Sequence, residues 1–374
     1  MSAARRVCIL PDKFKGTLTA AEVAEAIARG WSRVRPQDRL ELIPMSDGGD
    51  GFGETIAIQE RGQRRRVKTV NAAGETIWSP WWWIPQSRTA VIETARVVGL
   101  AQLPKGKFHP FQLDTYGLGV LIAKILRSSV STLLIGLGGS ATNDGGFGMA
   151  RALGWQFLNG SEKPIERWTD LAGLNAVVPP VEVVEHWEVI VAADVQNRLL
   201  GAKGASRIYG PQKGLRAEDM PEAEACLGQL AKCFRQATGR NEANRPGAGA
   251  AGGLGFGCCA FLGGDPRSGF EVFASRAQLD RRLGEADLII TGEGSVDRSS
   301  LMGKGVGEVA KWCLAHSKAC VALGGMVESH RRVMSHFSRA YAMVSELGDE
   351  AQAFERPAQC LRALAEQAAR EWVG

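Results

Sequence analysis

Short apolar runs recur along the chain, and each is followed by a polar segment rich in glycine or charged residues. Runs of this length bounded by turn-forming residues are typical of buried β-strands. On this pattern we predict strands at residues 7–10, 40–45, 90–93, 133–135, 188–193, 286–290, 319–323 and 341–344. Most of these strands would be buried on both faces, as in a parallel sheet.

Segments with helical periodicity alternate with the predicted strands. Thr19 and Glu22 have the spacing of a capping box, and Val23, Ile27 and Trp31 then recur on one helical face. Further helices are predicted at residues 120–126, 147–153, 221–238 and 306–314. Strands that alternate with helices indicate the α/β class.

The two ends of the chain share this alternation, and the middle carries a second set of strands. We therefore predict two α/β domains. Residues 1–70 and 286–374 would form one flavodoxin-like or Rossmann-like domain built from both termini, and residues 71–285 a second α/β domain inserted into it. The glycine-rich and alanine-rich stretch 241–257 is predicted to be a mobile loop, of the kind that often acts as a lid.

Charge and cysteine usage narrow the classes of function. The 374 residues include 45 basic and 40 acidic side chains, and a net charge of +5 is too small to indicate a nucleic-acid partner. Eight cysteines without a CxxC pair favour a reduced, cytoplasmic protein. No signal peptide fits the start of the sequence, and eight glycines argue against a membrane helix at residues 247–264.

The loop at residues 136–146 is the most informative stretch. Its glycines, including Gly138 and Gly139, allow backbone N–H groups to approach a phosphate closely. Ser140 and Asn143 add neutral donors, and Asp144 could hold the magnesium that accompanies nucleotide phosphates. The helix predicted after the loop would complete an anion site with its N-terminus.

The same loop also fits a different class of protein. Gly136, Gly138 and Ala141 match the dinucleotide-binding fingerprint, and Glu162 follows at roughly the spacing of the acid that binds the ribose. The turn signal Asn159-Gly160 argues against this fingerprint, because the acid should sit at the tip of a strand. A dinucleotide-dependent oxidoreductase is kept as an alternative of a different class, and so is a ligand sensor without activity.

Other predicted strands end in loops that carry an acid or a lysine. The carboxyl ends of parallel strands meet at one edge of a sheet, so these side chains can converge. Cations, carboxylates and backbone amides together are the groups that phosphoryl transfer requires. The groups in question are Asp12, Lys15, Asp47, Asn143, Asp144, Asp194, Glu293, Asp297 and Lys304. No P-loop motif is present, and the five histidines have no metal-ligand spacing.

Seven ordered motifs carry a resemblance to a known family. They read PDKFKG at residues 11–16, SDGGDG at 46–51, the loop at 136–146, ADV at 193–195, GPQKG at 210–214, GAGAAGG at 247–253 and TGEG at 291–294. Together they resemble the bacterial glycerate kinase family. The resemblance implies ATP-dependent phosphorylation of D-glycerate to 2-phosphoglycerate with Mg²⁺, in a cleft between two α/β domains.

We assign roles on that basis as hypotheses. Asp194 is the expected base, Lys15 the cation for the glycerate carboxylate, and Asp47 and Asp297 the magnesium ligands. The residues expected to bind substrate or phosphates are Asp12, Gly138, Gly139, Ser140, Asn143, Asp144, Asn197, Gln212, Lys213, Glu293 and Lys304.

Three positions depart from the usual family motifs: Gln196, Arg198 and Ser295. They leave open a kinase for another small hydroxy acid, or for the 3-hydroxyl of glycerate. A homodimer is also left open.

Overall fold

The computed structural model describes residues 4–181, 187–301, 305–328, 331–347 and 350–372. The chain divides into two compact units. The first consists of Met1–Asp47 together with Phe270–Gly374, and the second of Gly48–Gly269.

The described elements alternate between strand and helix over most of the chain. The strands are β1 (Arg6–Pro11), β2 (Arg39–Leu42), β3 (Gln63–Val70), β4 (Thr76–Ile84), β5 (Thr89–Glu93), β6 (Thr132–Gly136), β7 (Gln156–Asn159), β8 (Leu174–Val178), β9 (Glu188–Ala192), β10 (Asp265–Arg267), β11 (Leu288–Gly292), β12 (Ser295–Val296), β13 (Cys320–Gly324), β14 (Met326–Val327) and β15 (Arg339–Ala342). The α-helices are α1 (Ala20–Val34), α2 (Phe52–Glu60), α3 (Ala95–Val98), α4 (Tyr116–Leu126), α5 (Phe147–Ala152), α6 (Ala205–Tyr209), α7 (Met220–Thr238), α8 (Ala250–Leu262), α9 (Gly269–Arg276), α10 (Leu279–Gly284), α11 (Gly305–Ala315), α12 (Arg331–Met334), α13 (Met343–Leu347), α14 (Glu350–Glu355) and α15 (Pro357–Glu371).

The first unit is built on a parallel sheet of order β2-β1-β11-β13-β15. In the chain order of this unit alone, that is 2-1-3-4-5, the order of flavodoxin-like folds. The prediction of a flavodoxin-like or Rossmann-like domain built from both termini is confirmed, and the strand order is the flavodoxin-like one. The strand order reverses between β1 and β11, which places a crevice at the carboxyl ends of those two strands.

Helix α1 shows how the sequence sets the core of this unit. The capping box is present, with the Glu22 N–H donating to Thr19 Oγ1 at 3.3 Å and the Thr19 N–H donating to Glu22 Oε2 at 2.8 Å. Val23, Ile27 and Trp31 are fully buried beneath it. Helix α15 packs closely against α1 at Gly30. A Cβ atom on Gly30 would lie only 2.2 Å from the Arg362 carbonyl oxygen, so this approach requires glycine.

The second unit has a mixed sheet of order β10-β9-β6-β5-β4-β3. Strands β10, β9, β6 and β5 run parallel, and β4 and β3 are antiparallel additions. A layer of aromatic side chains, among them Phe147, Phe157 and Phe256, packs in a separate core of this unit. At the carboxyl ends of the parallel strands, β5 ends at Glu93, β6 leads into the 136–146 loop, and β9 is followed by Asp194.

The unit boundaries differ from those in the sequence analysis, which placed the inserted domain at residues 71–285. Strand β3 pairs with β4 along its whole length, so the chain enters the second unit before residue 71. At the other end, Arg282 of α10 forms an ion pair with Glu41 of β2, at 2.7 Å, which ties this helix to the first unit.

The prediction of a mobile loop at residues 241–257 is wrong for its second half. Residues 250–262 form α8, whose Leu254 and Phe256 side chains are fully buried. Glycine is frequent there because α8 packs backbone to backbone, and a Cβ atom on Gly257 would lie 2.7 Å from the Gly145 carbonyl oxygen. Gly252 and Gly253 have positive φ angles and turn the chain into the regular part of the helix.

Smaller differences concern strand ends. Strand β2 stops at Leu42, before Pro44, and β15 gives way to α13 at Met343. All eight cysteines are free and buried. Within the described ranges, no helix has both the length and the apolar character needed to cross a bilayer.

Candidate active site

Acidic side chains gather at the carboxyl ends of β1 and β11 in the first unit. The Asp12 N–H donates to the Gly292 carbonyl oxygen at 2.8 Å, which holds the two strand ends together. Asp12 and Glu293 are the first residues after the two strands, and Asp47 follows the loop after β2. These acids occupy the switch point of the sheet, where ligands bind in folds of this type.

The environment of Asp12 favours its protonated form. Burial raises the pKa of Asp12 to about 7, and the negative charges of Asp47 and Glu293 act in the same direction. The Lys13 N–H donates to Asp12 Oδ1 at 2.7 Å, and this bond, with the Lys13 ammonium, opposes the rise in pKa. The acids are thus held close enough to repel one another.

Lys13 is a cation of this cluster that sequence reasoning missed. Its Nζ atom lies 3.9 Å from Asp47 Oδ1, and its side chain is partly buried. Lys15, which the sequence analysis selected, is exposed at the tip of the same loop. The signal available in the sequence was adjacency, because Lys13 directly follows Asp12.

Asp297 shapes its own loop. Its Oδ1 atom accepts a hydrogen bond from the Ser299 N–H at 2.7 Å, and its Oδ2 atom one from Ser295 Oγ at 3.3 Å. Hydrogen bonds from Ser299, Ser295 and Ser300 hold the pKa of Asp297 below its usual value, so it is ionised. Lys304, another predicted site residue, lies outside the described residues.

The donor chemistry at the switch point fits magnesium. Mg²⁺ is usually bound by one or two carboxylates, with waters and substrate phosphates as the other ligands. Asp12 and Asp47 supply hard oxygen donors, and a divalent cation would relieve the repulsion that raises the pKa of Asp12. Within the described ranges, no group of three or more His, Cys, Asp or Glu side chains is arranged to hold a metal by itself.

In the second unit, the 136–146 loop lies at the carboxyl end of β6. Its first residues are fixed by backbone hydrogen bonds from Leu137 N–H to the Ala192 oxygen at 2.9 Å and from Ala141 N–H to the Val98 oxygen at 2.8 Å. A Cβ atom on Gly138 would lie 2.8 Å from Gly49 Cα, so the glycine supports close contact with the 48–51 loop. Gly139 adopts a φ of +60° and is exposed.

Asp144 holds two helices at their N-termini. It is fully buried, and its Oδ2 atom accepts hydrogen bonds from the Thr115 N–H, the Thr115 hydroxyl and the Gly148 N–H at 2.9, 2.7 and 3.0 Å. Its Oδ1 atom accepts from the Gly146 N–H at 3.2 Å. Burial raises the pKa of Asp144 and these hydrogen bonds oppose the rise. The structure therefore gives Asp144 a structural role.

Asn143 and Lys213 are both buried in the interior of this unit. The Asn143 Nδ2 atom donates to Ser206 Oγ at 3.0 Å, and Ser140 Oγ lies 2.8 Å from Thr142 Oγ1. The Lys213 ammonium is buried and donates to the Thr142 carbonyl oxygen at 2.6 Å. Burial lowers the pKa of Lys213 to about 7, against the opposing charge of Asp144.

The remaining predicted residues of this unit occupy the ends of β9 and α6. Asp194 Oδ1 accepts hydrogen bonds from Ser268 Oγ at 3.2 Å and from the Gly269 N–H at 2.9 Å. Asn197 donates to the Lys203 oxygen at 2.8 Å and accepts from the Tyr209 hydroxyl at 2.7 Å. Gln212 is exposed.

Three further polar residues support the loops of this unit, and sequence reasoning did not select them. Thr115 and Ser206 orient Asp144 and Asn143. Glu93, at the end of β5, is buried and accepts hydrogen bonds from the Gly53 N–H at 2.8 Å and from Arg96 Nε at 3.0 Å. Apart from Arg96, their partners lie 29 to 63 residues away, so spacing could not identify them.

The dinucleotide alternative meets a structural objection. In that fold, the strand after the glycine loop and its helix joins the main sheet and carries the acid at its tip. Here β7 pairs antiparallel with β8 in a separate two-stranded sheet, and Glu162 lies in the turn after it.

Comparison with known proteins identifies the family. The sequence model described as the glycerate kinase family matches residues 7–373. Glycerate kinase of Halalkalibacterium halodurans is 36% identical over 97% of this chain and 96% of its own length. Glycerate 2-kinase of Escherichia coli K12 is 34% identical over 93% of both chains. A crystal structure assigned to glycerate kinase 2 of Salmonella typhimurium LT2 superposes with a TM-score of 0.83, at 29% identity over 98% of both chains. The chain belongs to the glycerate kinase family.

Proposed function

We propose that this enzyme transfers the γ-phosphoryl group of ATP to the 2-hydroxyl of D-glycerate, giving 2-phosphoglycerate and ADP. Membership of the family supports the reaction class, and the name of the E. coli relative supports the 2-position. The structural observation that carries the proposal is the cluster of Asp12, Asp47 and Glu293 with Lys13 at the switch point of the first sheet. Carboxylates beside a cation are the groups that magnesium-nucleotide chemistry needs.

Asp194 is the proposed general base. It stands at the carboxyl end of β9, and hydrogen bonds from Ser268 and the Gly269 N–H orient its carboxylate. In the proposed step the 2-hydroxyl oxygen attacks the γ-phosphorus, its proton passes to Asp194, and the bond to the ADP oxygen breaks. No other proton acceptor is required for the atoms to balance.

Magnesium, when bound, would neutralise charge on the phosphate oxygens. Asp47, with Asp12, is the proposed holder of this ion, because their donor set fits it. Asp297 is also a proposed magnesium ligand, and its carboxylate is oriented by hydrogen bonds within its own loop. The exposed Lys15 is proposed to bind an anionic group of a substrate.

The cellular location and the oligomeric state are also proposals. A cytoplasmic location is supported by eight free, buried cysteines. A homodimer stays an open proposal.

Release of ADP in the presence of Mg²⁺ tests the proposed reaction. We expect D-glycerate to give a higher kcat/KM than L-glycerate, tartronate or D-lactate. Preference for another hydroxy acid would support the alternative substrate instead. Stabilisation by ligand separates kinase from oxidoreductase, because a ligand at about a hundred times its Kd stabilises a protein by about 2.7 kcal/mol. Stabilisation by NAD, and none by ATP with Mg²⁺, would contradict the proposed reaction.

A further inference from the structure

Two buried polar groups of the second unit have unused hydrogen-bonding capacity. The Asn143 side chain is fully buried, and within the described part of the chain its Oδ1 atom has no hydrogen-bond partner. A buried acceptor without a donor is costly, and its presence in a folded protein calls for an explanation such as a ligand or water.

The Lys213 ammonium has the complementary need. It carries three N–H donors, and among the described residues its one hydrogen-bond acceptor is the Thr142 carbonyl oxygen, at 2.6 Å. No carboxylate of the described residues lies within ion-pair distance of it. The nearby Asp144 carboxylate is already occupied by donors from Thr115, Gly146 and Gly148. The ammonium therefore has N–H donors left for an anionic acceptor.

Lys213 Nζ and the backbone of Asn143 both lie beside Gly252. A Cβ atom on Gly252 would lie 2.7 Å from Lys213 Nζ and 2.9 Å from Asn143 Cα. The backbone of Gly252 therefore packs directly against both residues. Ser206 holds the Asn143 amide nitrogen, which leaves Oδ1 as the free end of that side chain. A small ligand that offers a carboxylate and a hydroxyl would satisfy both needs.

We propose that Lys213 and Asn143 are the specificity-determining pair for glycerate, with the Lys213 ammonium binding the carboxylate and Asn143 Oδ1 accepting a hydrogen bond from the 3-hydroxyl. The inference rests on the proposed function and deepens it. A 3-hydroxyl held by Asn143 leaves the 2-hydroxyl as the reacting group, which accounts for the position of transfer. Burial of Lys213 strengthens its attraction for an anion, because the effective dielectric constant is low there.

Entry of the substrate requires the loop to open, because Asn143 is closed off from solvent. Glycines with positive φ stand on both sides of it, Gly139 at +60° and Gly145 and Gly146 at +63° and +78°. Their conformational freedom provides hinges for that movement. The loop is thus suited to close over a small substrate.

Calorimetric binding to the full-length enzyme tests the pair without any need for turnover. The wild type should bind D-glycerate at least about tenfold more tightly than D-lactate, which lacks the 3-hydroxyl, and than glycerol, which lacks the carboxylate. These comparisons require no variant, so they hold even if a substitution unfolds the protein. Equal affinity for D-glycerate and D-lactate would overturn the role of Asn143.

Variants then assign each contact. Asn143→Leu should abolish the preference for D-glycerate over D-lactate, and Lys213→Met should weaken both acids at least about tenfold, with ATP affinity unchanged. The exposed residues Asn175 and Lys203 supply matched controls, Asn175→Leu and Lys203→Met, which should bind as the wild type does. Folded variants that bind D-glycerate as the wild type does would overturn the pair, and would indicate that water satisfies both groups.

Failure of the proposed function would give a different result. If D-glycerate bound through Lys213 and Asn143 but released no ADP from ATP, the recognition pair would stand and the proposed function would be wrong. If the product were 3-phosphoglycerate, the contact of Asn143 with the 3-hydroxyl and the position of transfer would both be wrong.

Discussion

Thr115 donates two hydrogen bonds to one oxygen of Asp144, from its backbone N–H at 2.9 Å and from its hydroxyl at 2.7 Å. The same hydroxyl oxygen accepts a hydrogen bond from the Met149 N–H at 2.9 Å. Through this pair, the start of α4 and the start of α5 are fixed to the 136–146 loop. Buried side-chain hydrogen bonds therefore fix the conformation of the 136–146 loop, in addition to its glycines.

Asp144→Ala should therefore destabilise the fold. It leaves several buried N–H and O–H groups without their acceptor, and each such group costs about 1–3 kcal/mol. We expect the free energy of unfolding to fall by about 3 kcal/mol in urea denaturation. The exposed Asp170 is the control, because Asp170→Ala should change stability by less than about 0.5 kcal/mol. A fully stable Asp144→Ala protein would show that the carboxylate is not a structural anchor.

Gly252→Ala tests the close contact between α8 and the loop. Its φ is +73°, and an added Cβ atom would lie 1.9 Å from the Thr142 oxygen and 2.7 Å from Lys213 Nζ. Gly263 is a matched control, since it has a φ of +68° with no atom within 4 Å of an added Cβ. Both substitutions carry the cost of positive φ, so the difference measures crowding alone. We expect Gly252→Ala to be less stable by a further 1–3 kcal/mol or so. Equal losses of stability would rule out the tight contact.

The pKa of Asp12 should depend on Asp47. Removal of the neighbouring charge by Asp47→Asn should move the pKa of Asp12 down from about 7. Carboxyl ¹³C NMR of aspartate-labelled protein measures the titration directly. Asp297→Asn provides the control, because Asp297 is not among the charges that act on Asp12. A wild-type Asp12 that titrates near its ordinary value of 3.8 would refute the cluster.

The same pKa fixes the sign of a stability change with pH. Since the folded pKa of Asp12 is raised, the folded state binds its proton more tightly than the unfolded chain between about pH 4 and 7. The contribution of Asp12 to stability is therefore complete below that window and is lost as pH rises through about 7. Asp12→Asn should become progressively more stable than the wild type over this window. A difference that is constant from about pH 4 to pH 8 would contradict the linkage.

Asp194→Asn tests the proposed base. An amide keeps the shape of the side chain but cannot take the hydroxyl proton, so kcat should fall by about a hundred to ten thousand times, with ATP affinity nearly unchanged. Asp265→Asn is a control on the neighbouring strand β10, where Asp265 is exposed and pairs with Arg267. Steady-state kinetics and nucleotide titration measure both quantities. An unchanged kcat in Asp194→Asn would exclude the role of base.

The sequence predicted those features that depend on local pattern. The capping box at Thr19, the strands that become β1, β5 and β6, and the α/β class follow from periodicity and alternation. The flavodoxin-like strand order does not, because only the structure shows which strands are neighbours. Helix α8 was missed because glycine lowers helix propensity, whereas tertiary contact with Gly145 favours it at these positions.

The sequence predicted which types of residue form the candidate site, but not which residues they contact. Asp144 has the composition of a ligand, and only the structure shows its oxygens occupied by Thr115 and two glycine N–H groups. Lys13 and Lys15 are equivalent by composition, and the structure separates them by their distance from Asp47 and by their exposure. Distances between residues far apart in sequence decide such roles.

The identity of the phosphorylated hydroxyl tests the central claim most directly. Purified enzyme, ATP, Mg²⁺ and D-glycerate can be incubated to completion and the product examined by ³¹P and ¹H NMR, where coupling of phosphorus to the C2 proton identifies 2-phosphoglycerate. We predict that product, with one ADP formed for each ester. Phosphorus coupled to the C3 protons, or D-glycerate left unmodified while ATP is consumed, would contradict it.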